Sequence, residues 1–399
     1  MSVTLQNLYD RIDDLRVDTS SGSVDVASEG LRAINAQLDE LQSIHDWEHT
    51  LKEFRFRYYP RVTKYGPLPS NYKNPRALAP ISNFLDEFRR LEPSIFDHLV
   101  SVYERDNYFS IFEDSTGTYL QTFMYRTRAK STTINLDTSL TGDGTWSANT
   151  VTSDAANIAA DNIVYYENTG SITFDVTVGQ SVNNFAEIVN STMSAKDLTD
   201  YKKGKVFCKL GIPSVTNLSS ITIRLGSSAA NYREQTITTQ TNGEALVAGV
   251  NFLGFDLESA TTTGSPTLTS ITYVLFRVNY TASYTSQMNF RLGEIFASTY
   301  EDMIFRYYST NTVNDISVPT TVDRFDGTTN DTLMFPDIFK EALCYGAASE
   351  LLLQMEMPEM ATKRERQAQE MIASLIARWP AKTLFPEPPS LFPGSQWFL

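Results

Sequence analysis

The stretch from Ser131 to about Ser298 constrains this chain most. It runs for about 168 residues without a convincing helical period, apart from a short helical segment near 194–203. The stretch is rich in threonine, serine and asparagine, and strand-like runs recur in it between turn signals. The runs are Asn162–Tyr166, Ser171–Val178, Lys205–Leu210, Ser220–Leu225, Gln235–Thr239, Val250–Asp256, Ile271–Tyr280 and Gln287–Ile295. Short strands at such spacing predict an antiparallel β-sandwich. The segment is long enough to bury its own core.

Helical periods flank it on both sides. Leu5, Leu8, Tyr9, Ile12 and Leu15 recur at three- and four-residue steps, as do Leu31, Ile34, Leu38, Leu41 and Ile44. Ser28 is placed to cap the second of these helices. From Phe54 the period changes to two, with Phe54, Phe56 and Tyr58 alternating with Arg55 and Arg57. Pro60, Pro67, Pro69 and Pro75 then predict an extended, turn-rich path. A short helix followed by a strand fits 81–104, and Tyr108–Phe112 with Thr118–Tyr125 reads as a hairpin about the turn 113–117. Helix returns from Asp337 to Met355, with Ile338, Phe339, Leu343, Ala347 and Leu351 on one stripe and Ala342, Gly346, Ala347 and Ala348 on a small-residue face. Pro358 opens a last helix that buries Ala368, Met371, Ile372, Leu375, Ile376 and Trp379, and Pro380 stops it.

The fold class expected is therefore α+β: a helix-rich domain split by an inserted antiparallel β-sandwich, which the resemblance given below implies is a jelly roll. Its parts are 1–130, the insert 131–298, the C-terminal helical part 299–383 and an extended arm 384–399.

Composition narrows the chemistry. Thirty-three basic against 47 acidic residues leave a net charge of −14, which argues against a general nucleic-acid binder. Three histidines and two cysteines exclude a disulfide scaffold and a zinc finger. Cys208 and Cys344 read as buried free thiols, in keeping with synthesis in a reducing cytoplasm. The first residues, Met1 to Gln6, have neither the basic nor the apolar region of a signal peptide, and no run is long and apolar enough for a membrane helix.

Few residues carry catalytic patterns. His45 and His49 stand four apart, but Glu48 precedes the second histidine rather than following the first, and no third ligand is evident. A triad would need His45, His49 or His98, and no nucleophile elbow accompanies a serine. There is no phosphate-binding or dinucleotide-binding glycine motif; Gly142-Asp-Gly144 is a turn within β context. Asp175, Glu187, Asp256, Glu258 and Glu294 are the carboxylates that a glycosidase would have to bring together.

Trp146, Tyr165, Tyr166, Tyr232, Tyr273, Tyr280 and Tyr284 are the aromatics suited to sugar stacking; Trp146, Tyr165, Tyr232 and Tyr284 are the candidates for a glycan site. No cofactor is expected, with calcium through the oxygen-rich loop Thr141-Gly-Asp143-Gly-Thr-Trp146 as the exception to test. The run Lys202-Lys203-Gly204-Lys205 reads as a solvated face, and Lys363 to Arg366 lies on a helix's polar face. The arm carries Phe385, Leu391, Phe392, Trp397, Phe398 and Leu399 among prolines. That is more apolar surface than a solvated tail carries, and it points to docking on another subunit or protein.

Two resemblances follow from particular stretches. Gly144-Thr-Trp146, Thr169-Gly-Ser-Ile-Thr-Phe-Asp175, Ile221-Thr-Ile-Arg-Leu-Gly226, Gly249-Val-Asn-Phe252 and Phe290-Arg-Leu-Gly-Glu-Ile295 resemble the carbohydrate-binding-module-like jelly rolls inserted in phage structural proteins. The early helices and the late pair, from Phe335-Pro-Asp-Ile-Phe-Lys-Glu-Ala-Leu343 to Arg378-Trp-Pro380, look like tailed-phage head-to-tail adaptor proteins.

The adaptor resemblance implies a closed homo-oligomeric ring in the virion neck, commonly of about twelve copies. Its partners would be the portal protein, docked by Phe385, Leu391, Phe392, Trp397, Phe398 and Leu399, and further neck or tail proteins. Genomic DNA would pass through the lumen without specific binding, and no membrane would be involved. The acidic charge fits such a channel. The expected function is thus a non-enzymatic virion structural protein. The alternative is a glycan-binding adhesin or tail-fibre-type module acting through the sandwich, and a glycosidase comes third.

Overall fold

The computed structural model describes residues 3–16, 28–62, 64–82, 88–96, 107–115, 117–124, 127–135, 143–148, 153–161, 170–178, 184–281, 284–315 and 320–379. The chain divides into two compact units. One comprises Met1–Phe56, Leu68–Glu92 and Met303–Leu399, the other Arg57–Pro67 and Pro93–Asp302.

Among the described residues the first unit holds four α-helices: α1 (Leu5–Arg16), α2 (Glu29–Ile44), α3 (Phe339–Gln354) and α4 (Pro358–Arg378). The predicted stripe of α1 is buried throughout. Ile34, Leu38 and Leu41 of α2 and Leu343, Ala347 and Leu351 of α3 join it in one core. Two expected stripe residues, Ile44 and Ile338, lie at helix ends and are exposed. On the small-residue face of α3, Gly346 sits against the Gln37 side chain of α2. Arg11 forks onto Glu341 at 3.0 and 2.9 Å, tying α1 to α3. Ser28 occupies the N-cap position in αR conformation and makes no side-chain capping bond. Pro358 opens α4 after a turn in which Glu356 takes φ 59°.

A three-stranded sheet in the order Leu51–Tyr58, Glu301–Ser309, Tyr72–Pro80 completes this unit. The description of 1–130 as helix-rich is corrected here. Among the described residues of that part, α1, α2, 93–96 and the 3-10 turn Glu48–Thr50 are helical, and the rest of the regular structure is strand, the expected alternation from Phe54 to Tyr58 included. The proline-rich path also contains a strand, Tyr72–Pro80. It tolerates Pro75 because it lies at the sheet's edge and its register slips beside that proline's partner, Tyr307.

The second unit is a sandwich of two six-stranded antiparallel sheets. The first runs Gly249–Asp256, Lys205–Ile212, Gln287–Ser298, Ser171–Val176, Ala155–Asp161, with Ser131–Asn135 also paired to Gln287–Ser298. The second runs Thr261–Thr263, Asn231–Ile237, Leu218–Ser228, Tyr273–Tyr280, Phe185–Asn190, Trp146–Ala148. Alternate residues close the core: Val206, Cys208, Leu210 and Ile212 from the first sheet, and Ile221, Ile223, Leu225, Val274, Phe276 and Val278 from the second. Seven of the eight expected strands are present with shifted ends; Asn162–Tyr166 lies outside the described residues. The helical stretch near 194–203 is a single 3-10 turn, Thr199–Tyr201. The predicted hairpin forms as Tyr108–Asp114 against Gly117–Phe123, and belongs to this same unit.

Candidate functional site

The second sheet has one face on the core and one turned away from it. Along Tyr273–Tyr280, Val274, Phe276 and Val278 point inward, so Tyr273, Leu275, Arg277 and Asn279 define the outer face. Strand register extends that face sideways in rows. Tyr273, Gly226 and Tyr232 form one row, Leu275, Arg224 and Glu234 the next, and Glu187, Arg277, Thr222 and Thr236 a third.

The side chains interlock. Arg224 binds Glu234 and places its guanidinium 4.7 Å from the centre of the Tyr232 ring. Tyr232 and Tyr273 stand side by side, 6.5 Å between ring centres. Arg277 donates from Nε to Glu187 at 2.6 Å and covers the Phe185 ring at 4.2 Å. Asn279 donates to Thr222 and Ser220 hydroxyls at 2.9 and 3.0 Å.

Burial grades the face. Tyr273 is 5% exposed and Glu187 2%, whereas Tyr232, Arg224, Glu234 and Arg277 are half-buried. Burial pushes the Tyr273 hydroxyl up, with Arg224 opposing it. Burial also works against the charged form of Arg224, but Glu234 outweighs it and its pKa is raised. Each arginine is oriented by a carboxylate on a neighbouring strand, Arg224 by Glu234 and Arg277 by Glu187. The Tyr232 ring is the aromatic surface this face offers, with paired donors and acceptors beside it.

The other expected residues lie elsewhere. Trp146 is corrected from stacking platform to core filler: it is 4% exposed and packs on Phe276 at 6.4 Å between ring centres. Tyr284 is half-buried: it stacks on Tyr280 at 4.5 Å between ring centres, and its hydroxyl donates to Asp154. Tyr165 and Tyr166 lie outside the described residues, as do Phe385, Leu391, Phe392, Trp397, Phe398 and Leu399.

The five carboxylates do not converge. Glu187 is on the second sheet; Asp175, Asp256 and Glu294 are on the first, and Glu258 follows it. Asp175 accepts from Asn157 and the Asn289 backbone, Asp256 from the Glu258 backbone, and Glu294 from Arg61 and Thr133. In the loop suggested for calcium, Asp143 accepts from the Ser194 backbone and hydroxyl and pairs with Lys196 at 3.0 Å, so a cation there would have to displace an ammonium. Among the described residues no three of histidine, cysteine, aspartate and glutamate are grouped to hold a metal.

The histidine pair shares no helix face, because α2 ends at Ile44 and His45 is extended. His45 Nε2 bonds the Trp379 carbonyl at 2.7 Å, and the His49 ring packs among Phe335, Phe339 and Trp379.

Sequence reasoning missed Arg224, Glu234 and Arg277. The signal was a lone charged residue at an alternate position of an otherwise apolar strand run, in Ile221-Thr-Ile-Arg-Leu225 and Val274-Leu-Phe-Arg-Val278. It marks the face turned from the core.

No family model matches the chain, and no curated protein matches it. Solved structures do. The family 30 carbohydrate-binding module of a cellulosomal cellulase of Clostridium thermocellum aligns at 11% identity and TM-score 0.29, covering 44% of this chain and 96% of that one. The C-terminal family 22 carbohydrate-binding module of Clostridium thermocellum Xyn10B aligns at 16% identity and TM-score 0.24, covering 41% and 93%. An agarase aligns at 7% identity and TM-score 0.27, over 42% of this chain and only 24% of its own. Likeness at this level says nothing about a ligand, and the chemistry of the sheet face has to come from its own side chains.

Proposed function

We propose that the sandwich is a glycan-binding module whose ligand lies across the outer face of the second sheet. The observation that carries this reading is the half-exposed Tyr232 ring with Arg224 and Glu234 locked beside it. An aromatic face packs against the C–H face of a pyranose. Oriented guanidinium and carboxylate groups then suit neighbouring ring hydroxyls, and a preformed site limits the ordering cost of binding. Glu187 and Glu234, each held by an arginine, serve as positioning groups in this reading.

The test is a glycan array and titration calorimetry with the full chain and with Tyr232→Ala. Saturable binding that falls about ten-fold in the variant, equivalent to about 1.4 kcal/mol, is expected. No binding across neutral glycans, or binding unchanged by Tyr232→Ala, would refute it.

A second reading concerns the first unit. Helices α1 and α2 from the start of the chain and α3 and α4 from its end close one core, so the sandwich is carried between them. In this reading the chain would have a virion structural role, with the helical unit as a head-to-tail adaptor ring on a portal. The segment 384–399 would dock there through Phe385, Leu391, Phe392, Trp397, Phe398 and Leu399. Native mass spectrometry with a portal protein tests it: a closed ring that is lost when 384–399 is deleted supports the reading, and a monomer indifferent to the portal refutes it.

A further inference from the structure

A cavity of about 530 Å³ opens in the first unit, past the end of the strand Glu301–Ser309. Its walls are Pro69 to Asn71, Thr310 with Asn311, and Thr321 to Asp323. Backbone bonds fix these three segments to one another. Thr310 N–H donates to the Asn71 carbonyl at 2.8 Å and Thr312 N–H to the Val322 carbonyl at 2.9 Å, beside the paired residues Val313 and Val322. Among the described residues that form the walls there is one carboxylate, Asp323, and no cation.

The polar groups are built into place with part of their capacity unspent. Asn311 is 8% exposed. Its backbone N–H donates to the Ser309 hydroxyl at 3.0 Å, and its side-chain amide donates to the Thr321 carbonyl and, at 2.9 Å, to the Thr321 hydroxyl. Both donors of that amide are thus used, and Oδ1 takes no hydrogen bond from any described residue. A side chain more than nine-tenths buried therefore holds an unspent acceptor in the wall. Asn71 is fixed the opposite way: its Oδ1 accepts from the Tyr307 hydroxyl at 3.0 Å, which leaves its NH2 as a donor. The Thr310 hydroxyl and the Asp323 carboxylate have no partner among the described residues, and the adjacent Arg324 is held by Asp39 at 2.8 Å.

From this arrangement we infer that the cavity binds an arginine side chain presented by an extended peptide of a partner protein. The walls offer acceptors and a negative charge: the Asp323 carboxylate, Asn311 Oδ1 and the Thr310 hydroxyl oxygen. A guanidinium is the complement, a cation with five donors in a planar fork and no acceptor. The ammonium of a lysine is a point charge with a different spread of donors and fits such a set less well. Pro69 and Val322 give the aliphatic stem an apolar flank. The Asn71 NH2 is left for a peptide carbonyl, and the volume has room for the backbone on either side of the arginine. The inference rests on neither of the two readings above.

Calorimetry on the full chain tests it, with a blocked pentapeptide carrying arginine between glycines, the same peptide with lysine or with the neutral isostere citrulline, and methylguanidinium. The arginine peptide is expected to bind saturably and more weakly as salt is raised, with the other three each at least about ten-fold weaker. Asp323→Asn removes the charge and Thr310→Val the hydroxyl, and both leave the backbone bonds of the walls in place, the Asp323 carbonyl to the Thr312 hydroxyl included. Each is expected to weaken the arginine peptide about ten-fold without changing the circular dichroism, and Asp323→Asn to leave the citrulline peptide unaffected. Tyr232→Ala is expected to leave arginine binding intact, so failure of the glycan reading is seen separately. No binding of the arginine peptide, lysine or citrulline binding as tightly as arginine, or indifference to both cavity variants overturns the guanidinium site. Methylguanidinium binding as tightly as the peptide overturns the peptide as its carrier.

Discussion

Glu187 and Arg277 face each other across adjacent strands of the sandwich, joined by an Nε–Oε1 bond of 2.6 Å, with the Glu187 side chain 2% exposed and that of Arg277 22%. Removing Arg277 strands a buried carboxylate, and breaking a buried pair in this way costs roughly 3–5 kcal/mol. Arg277→Ala is expected to lie at the lower end of that range in urea unfolding, because the arginine is partly solvated. The double variant Glu187→Gln with Arg277→Met is expected to recover most of the loss. An unchanged midpoint in the single variant would mean that the pair contributes nothing.

Gly226 and Gly346 should respond oppositely to alanine. A Cβ on Gly226 would meet the Asn231 carbonyl oxygen at 2.1 Å and the Tyr232 Cα at 2.6 Å, both fixed backbone. Gly226→Ala is expected to cost roughly 1–3 kcal/mol and to shift Tyr232, so that neutral-glycan binding falls with stability. A Cβ on Gly346 would meet the movable end of Gln37. There the helix gains about 1 kcal/mol of propensity, so Gly346→Ala is expected to be neutral or stabilising. Thermal melts of the two variants check the contrast.

His49 links the first unit to pH. Burial lowers its pKa below the ordinary 6.5, with Glu48 opposing, and Nε2 has no hydrogen-bond partner among the described residues. A histidine depressed in the fold takes up its proton first in the unfolded chain. Its effect is absent above about pH 6.5 and destabilises progressively as pH falls from there to the folded-state value. Stability is expected to decline over that interval, and His49→Phe should reduce the slope by up to one proton. A wild-type slope retained in the variant would assign the effect elsewhere.

Cys208 and Cys344 should be inert in the native protein. Both are buried, and burial pushes both thiols up, Cys344 to about 12. Thiolate is the reactive form, so an aromatic disulfide reagent is expected to label neither in buffer and both in urea. Rapid labelling of either thiol in the folded state would show that its surroundings open.

The long periodic elements were legible. The α1 stripe and the small-residue face of α3 appeared as read, because packing there repeats at the helix period along a single segment. Ala155–Asp161, Phe185–Asn190 and Trp146–Ala148 went unread. The first is alanine-rich, the other two are six and three residues long, and all owe their conformation to the strands beside them. The candidate site was half-legible: Tyr232 and Tyr273 stood out as aromatics, while Trp146 looked the same and went into the core.

Sequence alone determined where the period is two and where it is 3.6, that two free cysteines would be buried, and that a β-rich segment lies between helices from the two ends of the chain. Tertiary structure alone decided which strand lies beside which, and therefore which charges meet. Glu187 and Arg277 are 90 residues apart in the chain, and Arg61 and Glu294 are 233 apart. Local periodicity orients a side chain to one face of its own strand, but only the order of strands in the sheet decides what stands opposite it.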